Sequence, residues 1–374
     1  MKKTLNKQRA EQAMDQAGLN QAAIAKKLDV TKEAVSQWFK NTTFPRPDKL
    51  LKLAKILDLD FNELVIREEQ DAPVVAFRKM KGTKTKDHHI EKAQEIGRFL
   101  RQLVPWLPFD RLEMPPTLQD PICEYAYLQQ VATKVRQDIN VGPDSTIDFK
   151  HLIRRFEALL AVIVPVLWAD KERHENAVHI YLPDSKATWV YLNLDVNIHD
   201  FKFWMAHELG HCLSPTLRGE PAEDFADAFA GALLFPKHKA QKAYEKIARQ
   251  KSNKTQLKII MELAEQETIS PYTVYKELNN YAAQINAKSI ELGQEIFSWT
   301  SKFNSRHPKV SHELFRTEQP DAKTYISVSE EVFATPFFKA LSQYLQSKHQ
   351  GPGYVQAVMD MPLLDAKGIY EELT

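Results

Sequence analysis

Two histidines four residues apart, in the stretch His207-Glu208-Leu209-Gly210-His211, constrain this chain more than any other feature. On an α-helix such a pair projects from one face, where the two imidazoles can grip one zinc ion together. The spacing therefore predicts a helix, over Phe201 to Leu213, capped by Asp200 and ended before Pro215. Glu208, next to the first histidine, is placed to take a proton from a zinc-bound water.

A catalytic zinc needs a third protein ligand and an open position for water. Ser214 and Leu217 stand where the extended metzincin pattern wants glycine and histidine, which excludes that class. The following segment supplies acids instead. From Pro221 onward, Ala222, Phe225, Ala226, Phe229, Ala230, Leu233 and Leu234 form an apolar helical stripe, with Glu223 and Asp227 four apart beside it. Glu223 is expected as the third ligand and Asp227 as the partner that orients a histidine, with Glu220 and Asp224 as rival ligands. Cys212 adjoins His211 and reads as a packing cysteine rather than a redox-sensitive one. His238 and Tyr244 are candidates for a further oxyanion donor.

With 374 residues the chain has room for two or three domains. Two cysteines are too few for a disulfide framework or a four-cysteine zinc site, and no apolar run approaches the length of a membrane span. A signal peptide is not expected, and a reduced, cytoplasmic setting is. The net charge of +1 hides a regional bias: residues 1–66 hold 12 Lys+Arg against 8 Asp+Glu, a balance of +4 that hints at a phosphate-binding face.

Those first 66 residues read as short helices between tight turns. Asn20 caps a stretch ending at Leu28, Thr31 caps a second from Lys32 to Lys40 with Val35 and Trp38 facing inward, and Ala25 sits small at the crossing. After Pro45-Arg46-Pro47-Asp48 the leucine-rich segment from Leu50 to Leu57 gives another amphipathic helix. The stretch closely resembles the lambda-repressor/Cro-like (XRE-type) helix-turn-helix over roughly residues 5–66. Asp29 and Asn41 stand where that family usually has glycine, and Phe39 where it has glutamate. The resemblance implies that Gln21 and Asn41 hold phosphates while Lys32, Glu33 and Gln37 face base edges of an operator, with a homodimer on a two-fold site.

Residues 67–90 read as a charged, proline- and glycine-broken linker. Beyond it, Val162 to Trp168, with Pro165 inside, suggests an edge strand or a bulge, and Ala177–Leu182, Pro183–Lys186 and Thr188–Asn193 a hairpin. A strand beside the histidine helix is one a peptidase could use to hold an extended substrate by backbone pairing. The segment Leu257–Ala264 followed by Ile269–Leu278 looks like a second helix-turn-helix-like pair, favoured as scaffold.

The pentapeptide, the run Glu223-Asp224-Phe225-Ala226-Asp227-Ala228-Phe229-Ala230, the end Leu233-Leu234-Phe235-Pro236 and a preceding strand closing on Asn193 together resemble the ImmA/IrrE family of zinc metallopeptidases, over roughly residues 120–240. The resemblance implies cleavage of a repressor protein, releasing genes of a stress response or mobile element. The expected fold class is α+β and mostly helical: a helix-turn-helix domain over 1–66, the linker 67–90, a zincin-like zinc endopeptidase domain with a small sheet over 91–240, and a helical region over 241–374. The alternative is an antitoxin-like transcriptional repressor whose metal domain is a sensor or inactive.

Overall fold

The computed structural model describes all residues except 1, 41, 69–71, 78–86, 109–116, 169–175 and 318. The chain is α+β and mostly helical, and it divides into two compact units, Met1–Ala72 and Pro73–Thr374.

In the first unit, β1 (Lys2–Leu5) pairs antiparallel with β2 (Val65–Glu68). Between them lie α1 (Lys7–Gln16), α2 (Gln21–Leu28), α3 (Lys32–Phe39), α4 (Pro47–Leu57) and α5 (Phe61–Leu64). The Asn20 and Thr31 side chains accept from the Ala23 and Ala34 amides, so each helix start has an orphan donor satisfied. Asp29 closes α2 in the left-handed region at φ 53°, which Asp tolerates without glycine. Lys49 of α4 donates to the Leu28 carbonyl at 2.8 Å, and Arg9 pairs with Glu63 at 2.9 Å. Ile24, Leu28, Val35, Trp38, Phe39, Leu53 and their neighbours form this unit's own apolar core.

The second unit holds β3 (Val74–Phe77), α6 (Asp87–Leu103), α7 (Tyr125–Asp138), α8 (Phe149–Ala158), β4 (Ala161–Val166), β5 (Ala177–Leu182), β6 (Ala187–Asn193), α9 (Ile198–Leu213), α10 (Glu220–Leu234) and α11 (Lys237–Ile247). It continues through α12 (Asn253–Glu267), α13 (Pro271–Gln284), α14 (Glu295–Asn304), α15 (Val310–Phe315), α16 (Ala322–Phe333), α17 (Phe337–Lys348), α18 (Pro352–Met359) and α19 (Leu363–Leu373). Residues before and after position 240 share one hydrophobic cluster, from Ala93 to Leu373. Trp168 and Tyr191 donate to the carbonyls of Met359 and Val358, tying α18 to the sheet.

The four-stranded sheet runs in the order β3-β5-β6-β4. β5 and β6 form the expected hairpin, and β4 lies parallel to β6 at the edge, where Pro165 removes no ladder bond from an inner strand. The stretch expected as a linker supplies β3, which pairs antiparallel with β5 and sets Ala76 opposite His179. Four residues flanked by polar sequence give too short an apolar run to read as a strand.

α9 is buried on every side from Phe201 to Leu213 and so is a core helix rather than an amphipathic one. It starts earlier than its sequence suggests: Asn197, not Asp200, is the cap, accepting from the His199 amide at 3.0 Å. The buried Lys202 donates to the carbonyls of Ile147 and Glu267, while Glu267 pairs with Lys239 at 2.6 Å. Burial lowers the Lys202 amine to about 8 against the opposing pull of Glu267 and Asp148.

α13 meets α10 at Gly231, where an added Cβ would lie 2.2 Å from Glu277 Oε1. Burial raises the Glu277 carboxyl to about 7, against the lowering effects of Lys276 and the Asn280 amide, which donates at 3.0 Å. The folded pKa lies above the unfolded one, so this group's contribution to stability is complete below about pH 4.5 and is lost as pH rises through about 7. Glu277→Gln should therefore gain stability over the parent as pH goes from about 5 to about 8, by on the order of 3 kcal/mol. Urea midpoints across that range check this; parallel curves for the two proteins would refute it.

Candidate metal centre and DNA-reading helix

The centre is built where α10 closes on α9. A Cβ at Gly210 would meet the Ala226 Cα at 2.9 Å, so the absent side chain lets the two backbones approach this nearly. Glu223 and Asp227 flank Ala226 on α10, and that approach carries both carboxylates to the histidine face of α9. Ser214 ends α9 by donating to the Gly210 carbonyl at 2.8 Å, and the Leu118 amide donates to that of Leu213 at the same distance.

His207, His211 and Glu223 each turn one ligand atom to a common point. The two Nε2 atoms lie 3.1 Å apart, and the Glu223 oxygens sit 3.4 Å from His207 Nε2 and 3.5 Å from His211 Nε2. Around a tetrahedral zinc with bonds near 2.0–2.1 Å, donor atoms are separated by roughly 3.3–3.4 Å. The donor set and its spacing thus fit zinc. Asp227 accepts from His207 Nδ1 at 2.9 Å, which fixes the tautomer that turns the Nε2 lone pair inward. The rival acids Glu220 and Asp224 are exposed and stand outside this group.

His207, Glu208 and His211 are all but fully buried, and Trp204 and Phe203 pack against the His207 ring. Oε2 of Glu208 and Oε2 of Glu223 are buried with no hydrogen-bond donor among the described residues. Burial raises the Glu208 carboxyl to about 8, His207 pulling it down and Glu223 pushing it up. For His207 burial works against the charged ring, but Asp227 and Glu223 prevail and hold it up at about 9. His211 is driven well below the usual imidazole range by burial and then by His207 and His179.

His179 escaped sequence reasoning. It sits on β5, buried, with its ring centroid 5.6 Å from that of His211 and its Nε2 without a partner among the described residues. Burial, then Arg218 and His207, lower it to about 3, so it stands neutral. β5 is buried on both faces, so no alternation in its sequence marks which residue turns toward α9. Cys212 is a buried thiol whose pKa burial and Glu208 raise well above 9. His238 faces Asp144 at 3.4 Å and Tyr244 donates to the Lys288 carbonyl, so each is engaged elsewhere.

In the first unit, Lys32, Glu33 and Gln37 share the exposed side of α3, opposite buried Val35, Trp38 and Phe39. Gln21 opens α2, half-buried, and Asn41 lies outside the described residues. A helix-turn-helix family model matches residues 11–64, and the unit is a helix-turn-helix module of the DNA-binding type. Comparison with curated proteins and with solved structures gave no match. Among the described residues no helix is long and apolar enough to cross a membrane.

Asp227→Asn would leave His207 without its carboxylate partner. Zinc affinity is expected to fall by about 10–100-fold with the circular dichroism spectrum unchanged; an equal affinity by competition titration would deny Asp227 its orienting role.

Proposed function

We propose that the chain is a DNA-binding regulator with zinc-dependent endopeptidase activity, acting on a repressor protein. The observation that carries this reading is the three-donor set of His207, His211 and Glu223 with an unpartnered, buried Glu208 carboxylate oxygen beside it. His207 and His211 would hold the zinc through Nε2 and Glu223 through a carboxylate oxygen. Bound zinc would supply Lewis acidity, which polarises a peptide carbonyl and makes water acidic near neutral pH.

The chain's own residues do the rest. Glu208 takes a proton from the attacking water and returns it to the amide nitrogen as the peptide bond breaks. Asp227 keeps His207 in one tautomer. His179 is the candidate donor to the carbonyl oxygen as it gains charge, a neutral ring with an uncommitted Nε2 beside His211. The resemblance to ImmA/IrrE peptidases supports a repressor as substrate, and the helix-turn-helix unit supports action near an operator; a two-fold operator would call for a homodimer.

Of the hairpin, β5 packs against α9, but its outer edge is already paired with β3. A peptide would add to the outer edge of β3 or displace it. That pairing favours one second reading, in which the same DNA-binding protein uses its metal fold as a sensor and cuts nothing.

Glu208→Gln separates the two. It should retain the parent's zinc and operator binding while cleavage of a co-encoded repressor falls by about 10²–10⁴-fold. Undiminished cleavage would sink the mechanism, and no cleavage by the parent would leave the sensor. At the other end, Gln37→Ala should weaken binding to a duplex selected by the parent by roughly 10–100-fold, without changing zinc content. An unaltered footprint would remove Gln37 from the reading face.

A further inference from the structure

The start of α9 carries a second group of metal-ligating side chains. His199, Glu265 and His307 come from α9, α12 and the turn after α14, and each offers a ligand atom within 4.8 Å of the other two. His307 Nε2 lies 3.0 Å from Glu265 Oε2, and the His199 and His307 rings stand with centroids 4.1 Å apart. Phe303 walls the pair, its ring centroid 4.7 Å from His199 and 4.6 Å from His307. His199 is 3% exposed and its Nδ1 has no hydrogen-bond partner among the described residues.

The scaffold beneath these side chains is firmly tied. The Asn197 side-chain amide donates to the carbonyls of Asn304 and His307, at 2.8 and 3.2 Å. The Ile198 amide donates to the Pro308 carbonyl at 3.2 Å, and Asn304 donates to Asp200 at 2.9 Å. Six residues of turn, Asn304 to Lys309, are thus fastened to the first turn of α9, which sets the two imidazoles side by side. Nothing in apolar packing calls for two contacting imidazoles with a carboxylate at their edge.

We propose that His199, His307 and Glu265 form a second divalent-metal site, of the two-imidazole, one-carboxylate kind that takes zinc, nickel or cobalt in preference to magnesium. A metal takes each imidazole in its neutral form, and the unpartnered Nδ1 of buried His199 is a free donor atom of that kind. Glu265 supplies the negative charge, and with its side chain 59% exposed it has room to close the donor set around an ion. Water completes the shell on the exposed side. The dipole at the N-terminal end of α9 opposes a cation, and the negative charge of Glu265 acts against that opposition. The site clamps α12 and the α14–α15 turn onto α9, the helix that also carries His207 and His211, eight and twelve residues, or about 12 and 18 Å, farther along.

The test is metal content of the full chain, equilibrated with zinc and dialysed, measured by inductively coupled plasma mass spectrometry. His307→Ala should hold one zinc fewer than the parent, and Glu265→Gln should bind that zinc at least tenfold more weakly. Glu223→Gln should lose the other zinc and keep this one, so the count at each site is read independently of whether the first is a peptidase centre. Magnesium at the same concentration should bind at neither. Circular dichroism shows that each variant is folded, and should His307→Ala unfold, Glu265→Gln, altered at an exposed position, carries the comparison. If both His307→Ala and Glu265→Gln hold the parent's zinc with its affinity, the group is an aromatic stack with an ion pair, and the proposal is overturned.

Discussion

The close crossing of α9 and α10 is the constraint on which the second unit depends. A helix pair separated by ordinary side chains keeps its axes 8–10 Å apart. Gly210 against the Ala226 backbone removes a layer of that separation. The gain is positional: a carboxylate side chain is short, and Glu223 reaches His207 and His211 together only because its backbone has been brought near. Gly231 repeats the device one layer away, admitting the Glu277 side chain between α10 and α13.

Such a crossing must be held in register, and buried polar groups do this. Lys202 fastens α9 to the residue before α8's cap and to the end of α12, while Lys239 of α11 closes on Glu267 from the other side. Arg136 of α7 binds the carbonyls of Leu233 and Gly142 at 2.8 and 2.9 Å, stitching the end of α10 to the loop ahead of α8. Each such group would cost several kcal/mol if left unpaired in the interior, so slippage of any one helix is penalised through the others. The apolar cluster alone, being non-directional, would tolerate such shifts.

What was legible in the sequence follows from the range of the interactions. The histidine helix, the acids four apart on the next, the caps Asn20 and Thr31 and the β5–β6 hairpin are all set within a few residues, and the local pattern reveals them. The helix-turn-helix is local in the same sense, since Asp29 needs only its own backbone to turn left-handed. His179 and His211 meet only because the sheet is laid against α9, and His199 and His307 are 108 positions apart. β3 is a strand because β5 offers an edge, and Asn197 outcompetes Asp200 as a cap because the Asn304–Lys309 turn also claims its side chain. Such pairings leave no period in the chain.

Electrostatics at the centre couples the base to its surroundings. Three carboxylates, Glu208, Glu223 and Asp227, gather around two imidazoles in a buried space, and such a set carries an excess of negative charge that burial makes expensive. One way to relieve it is to take up protons, which is why Glu208 is raised to about 8 and His207 to about 9. In that form Glu208 holds the proton that a general base must lack. The other way would be a dication among the three donors, whose charge would favour the ionised form of the Glu208 carboxyl. On the proposed reading, the arrangement that would make water acidic is also the one that would free Glu208 to accept its proton, so the donor set and the base would work only together.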